Sequence, residues 1–101
     1  MKFSIIIEAR LSSSRFPRKI LYKIQRYSFL EYLIKRLKLL KTIREIIIAM
    51  PDDEQNEEIV LIAKKNKLKY FKGSHQNVIK RMIDAAKKFK CKNIIRITSD
   101  C

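Results

Sequence analysis

Three features of this 101-residue chain predict an α/β fold with a mainly parallel sheet and helices on both faces. Isoleucine-rich runs recur at residues 3–9 (FSIIIEA), 44–50 (REIIIAM) and 92–98 (KNIIRIT). Each is apolar at consecutive positions, the pattern of strands buried on both faces. Amphipathic stretches separate the runs, and such alternation implies right-handed strand–helix–strand crossovers.

The elements follow in order. After the first strand comes a basic, serine-rich loop, residues 10–19. In residues 28–40, Leu30, Leu33, Ile34 and Leu37 keep helical spacing, with Lys35, Arg36 and Lys38 on other faces. Ser28-Phe29-Leu30-Glu31 fits a capping box, and Tyr27 is placed to staple onto Tyr32. The second helix, residues 53–66, opens with Asp52, Asp53, Glu54, Glu57 and Glu58 and closes with Lys64, Lys65 and Lys67. That polarity complements the helix dipole, which accounts for the acidic cluster without a metal. A weaker strand is expected at residues 68–71. The third helix, residues 76–90, is expected to bury Val78, Ile79, Met82, Ile83, Ala86 and Phe89. No repeat and no Gly/Pro linker divides residues 1–101, so a single domain is expected. The chain stops three residues past its last predicted strand, so an open sheet is expected to leave an edge or face for a partner or for further chain to cover.

Composition bounds the function. Apolar residues make up 47% of the chain, enough for a packed core. Lys and Arg number 24 against 10 Asp and Glu, a formal charge of +14, so an anionic partner is the default. Part of that charge reflects a lysine- and isoleucine-rich, glycine-poor composition; the chain holds one glycine. Cys91 and Cys101 form no CxxC, and two cysteines make no disulfide framework, which points to a reducing cytoplasm. No apolar run approaches the ~18 residues of a membrane span, and the amino-terminal apolar stretch is too short for a signal peptide. His75, the one histidine, reads as an exposed residue near a helix start, and Lys87, Lys88, Lys90 and Lys92 as a solvated helix end.

Chemistry concentrates in two places. Residues 10–19 (RLSSSRFPRK) carry four cations and three hydroxyls directly after the first strand. In open α/β sheets ligands bind outside the carboxyl ends of strands, and guanidinium, ammonium and hydroxyl groups there suit a phosphate chain. A solvated basic turn is the other reading of the same residues. No GxxxxGK is present, so the loop is not a P-loop. The second place is Arg96-Ile97-Thr98-Ser99-Asp100-Cys101. With the last strand parallel beside the first, Asp100 emerges on the edge of the Arg10 loop, where a lone carboxylate plus phosphate oxygens suits Mg²⁺. A terminal Asp also serves commonly as a turn or cap residue.

Together these segments resemble a known family. The spacing A-R-x-x-S-x-R-x-P-x-K over residues 9–19, the later R-I-T-x-D-C, and Phe71-Lys72-Gly73-Ser74 followed by Val78, Ile79 and Arg81 are similar to the acylneuraminate cytidylyltransferases (CMP-sugar synthetases) of the spore-coat polysaccharide type, with the CMP-Kdo synthetases as cousins. The resemblance implies a three-layer α/β/α, Rossmann-like nucleotide-diphospho-sugar transferase fold, truncated here to its N-terminal nucleotide-binding portion. It implies that Arg10, Ser13, Arg15 and Lys19 surround the CTP phosphates, with Arg15 and Lys19 catalytic. Gly73, Ser74 and Arg81 would lie near the nucleotide, and Asp100 would bind Mg²⁺. A sugar hydroxyl would attack the α-phosphorus and release pyrophosphate, in a cytoplasmic enzyme of polysaccharide biosynthesis that is a homodimer at full length. The chain departs from the family at Ser12, Arg18, Gln25, Arg26 and Ser99, where glycine is usual, at Asn77 in place of Asp, and at Glu8 in place of Gln. Two other readings compete: a small nucleic-acid-binding protein, motivated by the charge, and a non-catalytic remnant of the enzyme. Against the former, the aromatics do not interleave with the cations and no nucleic-acid module pattern occurs.

Overall fold

The first isoleucine run becomes the centre of the sheet. Residues 2–10, 23–24, 26–52 and 56–98 are described in the structure, a computed structural model. Strand β1 (Phe3–Glu8) lies between β4 (Ile43–Pro51) and β6 (Ile94–Thr98), parallel to both, and β5 (Lys69–Gly73) extends the sheet beside β4. The order is β5-β4-β1-β6. A strand flanked on both sides and covered on both faces exposes nothing, and Ile5, Ile6 and Ile7 are fully buried, as are Ile47 and Ile48 of β4. Consecutive apolar residues are therefore required in β1 and β4, whose alternate side chains serve different cores.

On one face Ile5, Ile7, Ile46 and Ile48 pack against Leu30, Ile34 and Leu37 of α1 (Phe29–Leu37) and against Ile59, Val60 and Ala63 of α2 (Glu57–Lys65). On the other, Ile6, Ile47 and Ala49 meet Ala85, Met82, Ala86 and Phe89 of α3 (Val78–Lys88) and the residue capping it. The three-layer arrangement is the expected one. One expectation about α3 fails: Ile79 and Ile83 are 72% and 48% exposed, and Arg81 and Ala85 are its buried residues. The helix is rotated so that its inward stripe follows Arg81 and Ala85, and Ile83 turns toward Ile94 at the β6 edge.

Local signals set the helix ends. Ser28 caps α1 with a reciprocal capping box: its Oγ accepts from the Glu31 N–H at 3.1 Å, and the Glu31 carboxylate accepts from the Ser28 N–H at 3.4 Å. Tyr27 and Tyr32 meet edge to face at 5.6 Å between ring centroids, completing the staple. Helix α2 is described from Glu57, with the Asn56 side-chain amide donating to the Pro51 carbonyl at 3.1 Å, and residues 53–55, where the sequence places its first turn, lie outside the described residues. Helices α2 and α3 both end with a lysine in the left-handed region, Lys67 at φ 59° and Lys90 at φ 54°. In each case the next residue's N–H reaches back five residues along the chain, Leu68 to Ala63 O and Cys91 to Ala86 O, both at 2.9 Å. This is a Schellman ending, where glycine is the usual occupant.

A short antiparallel hairpin, β2 (Lys23–Ile24) and β3 (Tyr27–Ser28), precedes α1. Two residues per strand carry no periodicity, so the sequence gives no sign of it. At the amino ends of the strands the nearly buried Glu45 carboxylate accepts from Ser4 Oγ and Lys69 Nζ, each at 2.6 Å, and from the Cys91 thiol at 3.7 Å. One side chain thus ties β1, β4, β5 and the segment after α3 together. No helix among the described residues is long and apolar enough to cross a membrane.

Candidate functional site

All four strands of the main sheet run parallel, so their carboxyl ends share one edge. There β1 leads into Ala9 and Arg10, β6 ends at Thr98, and β5 ends at Gly73, from which the chain enters α3 through Ser74. Ser74 Oγ accepts from the Asn77 N–H at 3.2 Å, and Asn77 in turn caps α3 by accepting from the Lys80 N–H at 2.9 Å. The Asn for Asp departure therefore keeps its capping role, for which the two are equivalent.

Arg81 reaches back from the first turns of α3 into the edge. Its residue is 3% exposed, and its Nη1 donates to the Ser74 carbonyl at 2.6 Å. Gly73 makes room for it: a Cβ at Gly73 would lie 3.1 Å from Arg81 Cγ and 2.6 Å from Cε2 of the Phe71 ring. Arg81 Nε is buried with no hydrogen-bond partner among the described residues. Burial pushes the Arg81 guanidinium below its ordinary value; the Glu8 carboxylate opposes that shift and the Arg10 cation adds to it. The group stays cationic at neutral pH.

Across from Arg81, β1 and β6 present Glu8 and Arg96. Arg96 donates to Glu8 Oε2 from Nε at 2.8 Å and from Nη2 at 2.6 Å. The register, Ile6 beside Arg96 and Glu8 beside Thr98, puts both side chains on the α3 side of the sheet. Glu8, Ala9, Arg10, Val78, Arg81, Arg96 and Thr98 line a cavity of about 180 Å³. Three guanidinium groups and one carboxylate converge on it.

Of the sequence-predicted site residues, Arg10 and Arg81 line this cavity together, and Gly73 and Ser74 support Arg81 from behind. Ser13, Arg15, Lys19 and Asp100 lie outside the described residues. Thr98, two residues before Asp100 in sequence, is on the cavity wall. Sequence reasoning assigned no role to Arg96, although it stands in the quoted R-I-T-x-D-C block, and read Glu8 only as a change of charge. The signal was the shared face: Glu8 and Arg96 each occupy a polar position within an isoleucine run. Among the described residues no group of three or more His, Cys, Asp or Glu is arranged to hold a metal.

A parallel α/β sheet with an arginine-lined cavity at its carboxyl edge belongs to the class of nucleotide- and phosphate-handling folds. The profile of the cytidylyltransferase family matches residues 4–101, and the chain belongs to that family. Over 100 residues it is 35% identical to the uncharacterized protein MJ1063 of Methanocaldococcus jannaschii, covering 99% of this chain and 41% of that one. It is 29% identical to the spore coat polysaccharide biosynthesis protein SpsF of Bacillus subtilis, over 94% of this chain and 41% of SpsF. The solved structure of a cytidylyltransferase from Leptospira borgpetersenii superposes with a TM-score of 0.93 at 35% identity, over all of this chain and 42% of that one. A CMP:2-keto-3-deoxy-manno-octonic acid synthetase, solved with CTP, shares the fold at a TM-score of 0.79 and 20% identity, over 99% of this chain and 41% of its own. The chain thus spans about two fifths of the length of these relatives.

Proposed function

We propose that this chain is the nucleotide-binding portion of a CMP-sugar synthetase, which holds CTP with Mg²⁺ and, as part of the full-length fold, transfers CMP to an acidic sugar. The observation that carries the reading is the convergence of Arg10 and Arg81 on one cavity at the carboxyl edge of the sheet. Two relatives support it: a family-like fold solved with CTP, and a Bacillus protein of spore coat polysaccharide biosynthesis. The setting would be the cytoplasmic synthesis of a surface polysaccharide.

In this reading Arg10, Ser13, Arg15 and Lys19 hold the triphosphate, and Gly73, Ser74 and Arg81 border the nucleotide. The sugar hydroxyl attacks the α-phosphorus, the bond to the bridging oxygen of the β-phosphate breaks, and pyrophosphate leaves. Arg15 and Lys19 neutralise charge on the departing phosphates, and the remaining residues fix the α-phosphate in line with the attacking oxygen. Asp100 would supply the carboxylate for Mg²⁺, an ion content with one carboxylate plus phosphate oxygens and water. When bound, that ion adds Lewis-acid stabilisation of the phosphate oxygens.

The test is protection from thermal unfolding. At a CTP–Mg²⁺ concentration a hundredfold above the dissociation constant, the midpoint of a domain this size is expected to rise by roughly 10–20 °C. Arg81→Ala and Lys19→Ala abolish the rise, and Lys87→Ala, far from the cavity, leaves it intact. A cooperatively folded chain with no CTP-dependent shift refutes the proposal.

A further inference from the structure

Helices in a parallel sheet return the chain to the amino edge, so the three helix-to-strand connections share the pole opposite the cavity. Hydrogen bonds join them there. The Phe3 N–H donates to Thr42 O, just before β4, at 2.8 Å, and the Ser4 N–H to Asn93 O, just before β6, at 2.7 Å. Lys38 Nζ reaches the Asn66 carbonyl at the end of α2, also at 2.7 Å. This pole is strongly basic. Lys38 and Lys41 follow α1, Lys64 and Lys67 stand at the end of α2, and Lys90 and Lys92 follow α3, all exposed. None of them is paired with a carboxylate among the described residues. The carboxylate in their midst, Glu45, is already held by Ser4, Lys69 and Cys91.

A solvated lysine surface accounts for the charge but not for what the charge surrounds. Between Lys38 and Lys41 stand Leu39 and Leu40, 80% and 52% exposed, and neither belongs to a core. Leu40, Ile43 and Leu68 form the apolar side of an open cavity of about 340 Å³, rimmed by Lys38, Arg44 and Lys67. An apolar projection inside a cationic collar complements an anionic lipid surface. The leucines leave water for the acyl boundary, and the lysines meet headgroup phosphates. A nucleic-acid backbone would use the lysines alone, and the leucine pair interrupts the basic track it follows. The aromatic residue in these connections, Phe89, is half-buried beneath Lys69 and offers no face for a base.

We propose that the amino pole is a peripheral membrane-docking surface, on which Leu39 and Leu40 enter the interface of an anionic bilayer and the surrounding lysines neutralise its headgroups. The cavity then faces away from the membrane. Six residues of β1 at ~3.3 Å each set the two edges roughly 20 Å apart. That separation exceeds the Debye length of about 8 Å at physiological salt, so the cations of the amino pole are the ones that feel the surface. Each contributes roughly fivefold to partitioning. Docking of this kind does not depend on which nucleotide the cavity takes.

Co-sedimentation with vesicles of equal parts phosphatidylglycerol and phosphatidylcholine, and with phosphatidylcholine alone, tests the proposal. The chain is expected to sediment with the former and to stay in solution with the latter. Lys41→Ala combined with Lys92→Ala is expected to weaken binding roughly 10- to 30-fold. Lys72→Ala combined with Lys80→Ala, equal in charge but at the other edge, is expected to change it less than about twofold. Leu39→Ser is expected to cut binding at about 0.15 M salt by roughly tenfold. The sequence has no tryptophan, so Leu39→Trp supplies a fluorescent reporter, expected to shift to shorter wavelength with the anionic vesicles. A cooperatively folded chain that does not sediment with those vesicles overturns the proposal. Binding that Leu39→Ser leaves unchanged, with no fluorescence shift in Leu39→Trp, marks adsorption of a polycation and overturns it as well. Retardation of RNA at a salt concentration where vesicles no longer bind assigns the pole to nucleic acid instead.

Discussion

Gly73→Ala is the most informative single change, because it separates a packing demand from a backbone demand. Gly73 has no left-handed φ, so alanine is conformationally permitted and by itself favours the strand by roughly 0.5–1 kcal/mol. Space is the obstacle: the new methyl group lies 2.6 Å from Phe71 Cε2 and 3.1 Å from Arg81 Cγ. The ring must retreat by most of an ångström, and it is held between β5 and the core under α3. Overpacking of this kind costs about 1–3 kcal/mol, leaving a net loss of roughly 1–2 kcal/mol. For a domain of this size that lowers the thermal midpoint by about 5–15 °C. Arg81 is displaced at the same time, so CTP protection falls by more than the stability alone would explain. Urea denaturation and nucleotide titration of the same sample measure the two effects. Phe71→Leu, which removes Cε2, is expected to recover part of the stability in the double variant. A Gly73→Ala protein as stable as its parent, with unchanged nucleotide binding, refutes the claim that Arg81 is seated by the bare glycine.

Three further outcomes follow from the described contacts. Lys67→Gly and Lys90→Gly relieve left-handed lysines at the ends of α2 and α3 and are each expected to stabilise by roughly 0.5–1 kcal/mol in urea titrations, the strain relieved less the glycine entropy. Ser28→Ala removes the side-chain half of the α1 capping box, the Oγ acceptor of the Glu31 N–H, and is expected to cost about 1 kcal/mol by the same measurement. At Glu45, burial raises the carboxyl, but bonds from Lys69 and Ser4 and the charges of Lys69 and Arg44 outweigh it, leaving it below its ordinary 4.5. Its contribution is therefore full above that value and disappears as pH falls through the lowered one. Glu45→Gln is expected to lose about 1–2 kcal/mol at neutral pH, solvent screening the half-exposed Lys69 end, and to converge on the parent in acid. A stability gap that stays constant with pH would show that the charge of Glu45 is not what holds the four segments.

What could be read from the sequence depended on how local the cause was. The central strands were legible because Ile5 to Ile7 and Ile46 to Ile48 must be apolar at every position once covered on both faces. The start of α1 was legible because its cap, Ser28 with Glu31, lies within four residues. The hairpin at Lys23–Ile24 and Tyr27–Ser28 was not, being shorter than any period. The ends of α2 and α3 hid their Schellman turns behind lysines in a chain with a single glycine. Ile79 and Ile83 were misplaced because the buried stripe of α3 includes an arginine, which hydrophobic patterning reads as a solvent position. The Glu8–Arg96 pair joins residues 88 apart in sequence and follows only from the β1–β6 register. The cavity thus joins Arg10 and Arg81, which the motifs single out, to a pair that only strand pairing brings together.

The division of labour between the cations bears on what the charge of +14 is for. The described lysines sit at helix ends and on outer faces, some paired with carboxylates that solvent reaches, Lys72 with Glu57 and Lys80 with Asp84. Such pairs at the surface add little stability and little recognition, since solvent and salt screen them. The cavity draws instead on arginines, Arg10, Arg81 and Arg96, one of them buried and one fixed to a carboxylate by two N–H groups. A protein that grips a nucleic-acid backbone needs a continuous, unpaired basic face, and its affinity follows the number of phosphates neutralised. Here the specific positive charge is gathered where two strands and a helix can aim it inward, and Glu8 interrupts it with a carboxylate. The lysine excess is thus a property of the surface, while the placement of three arginines around one glutamate is a property of the site.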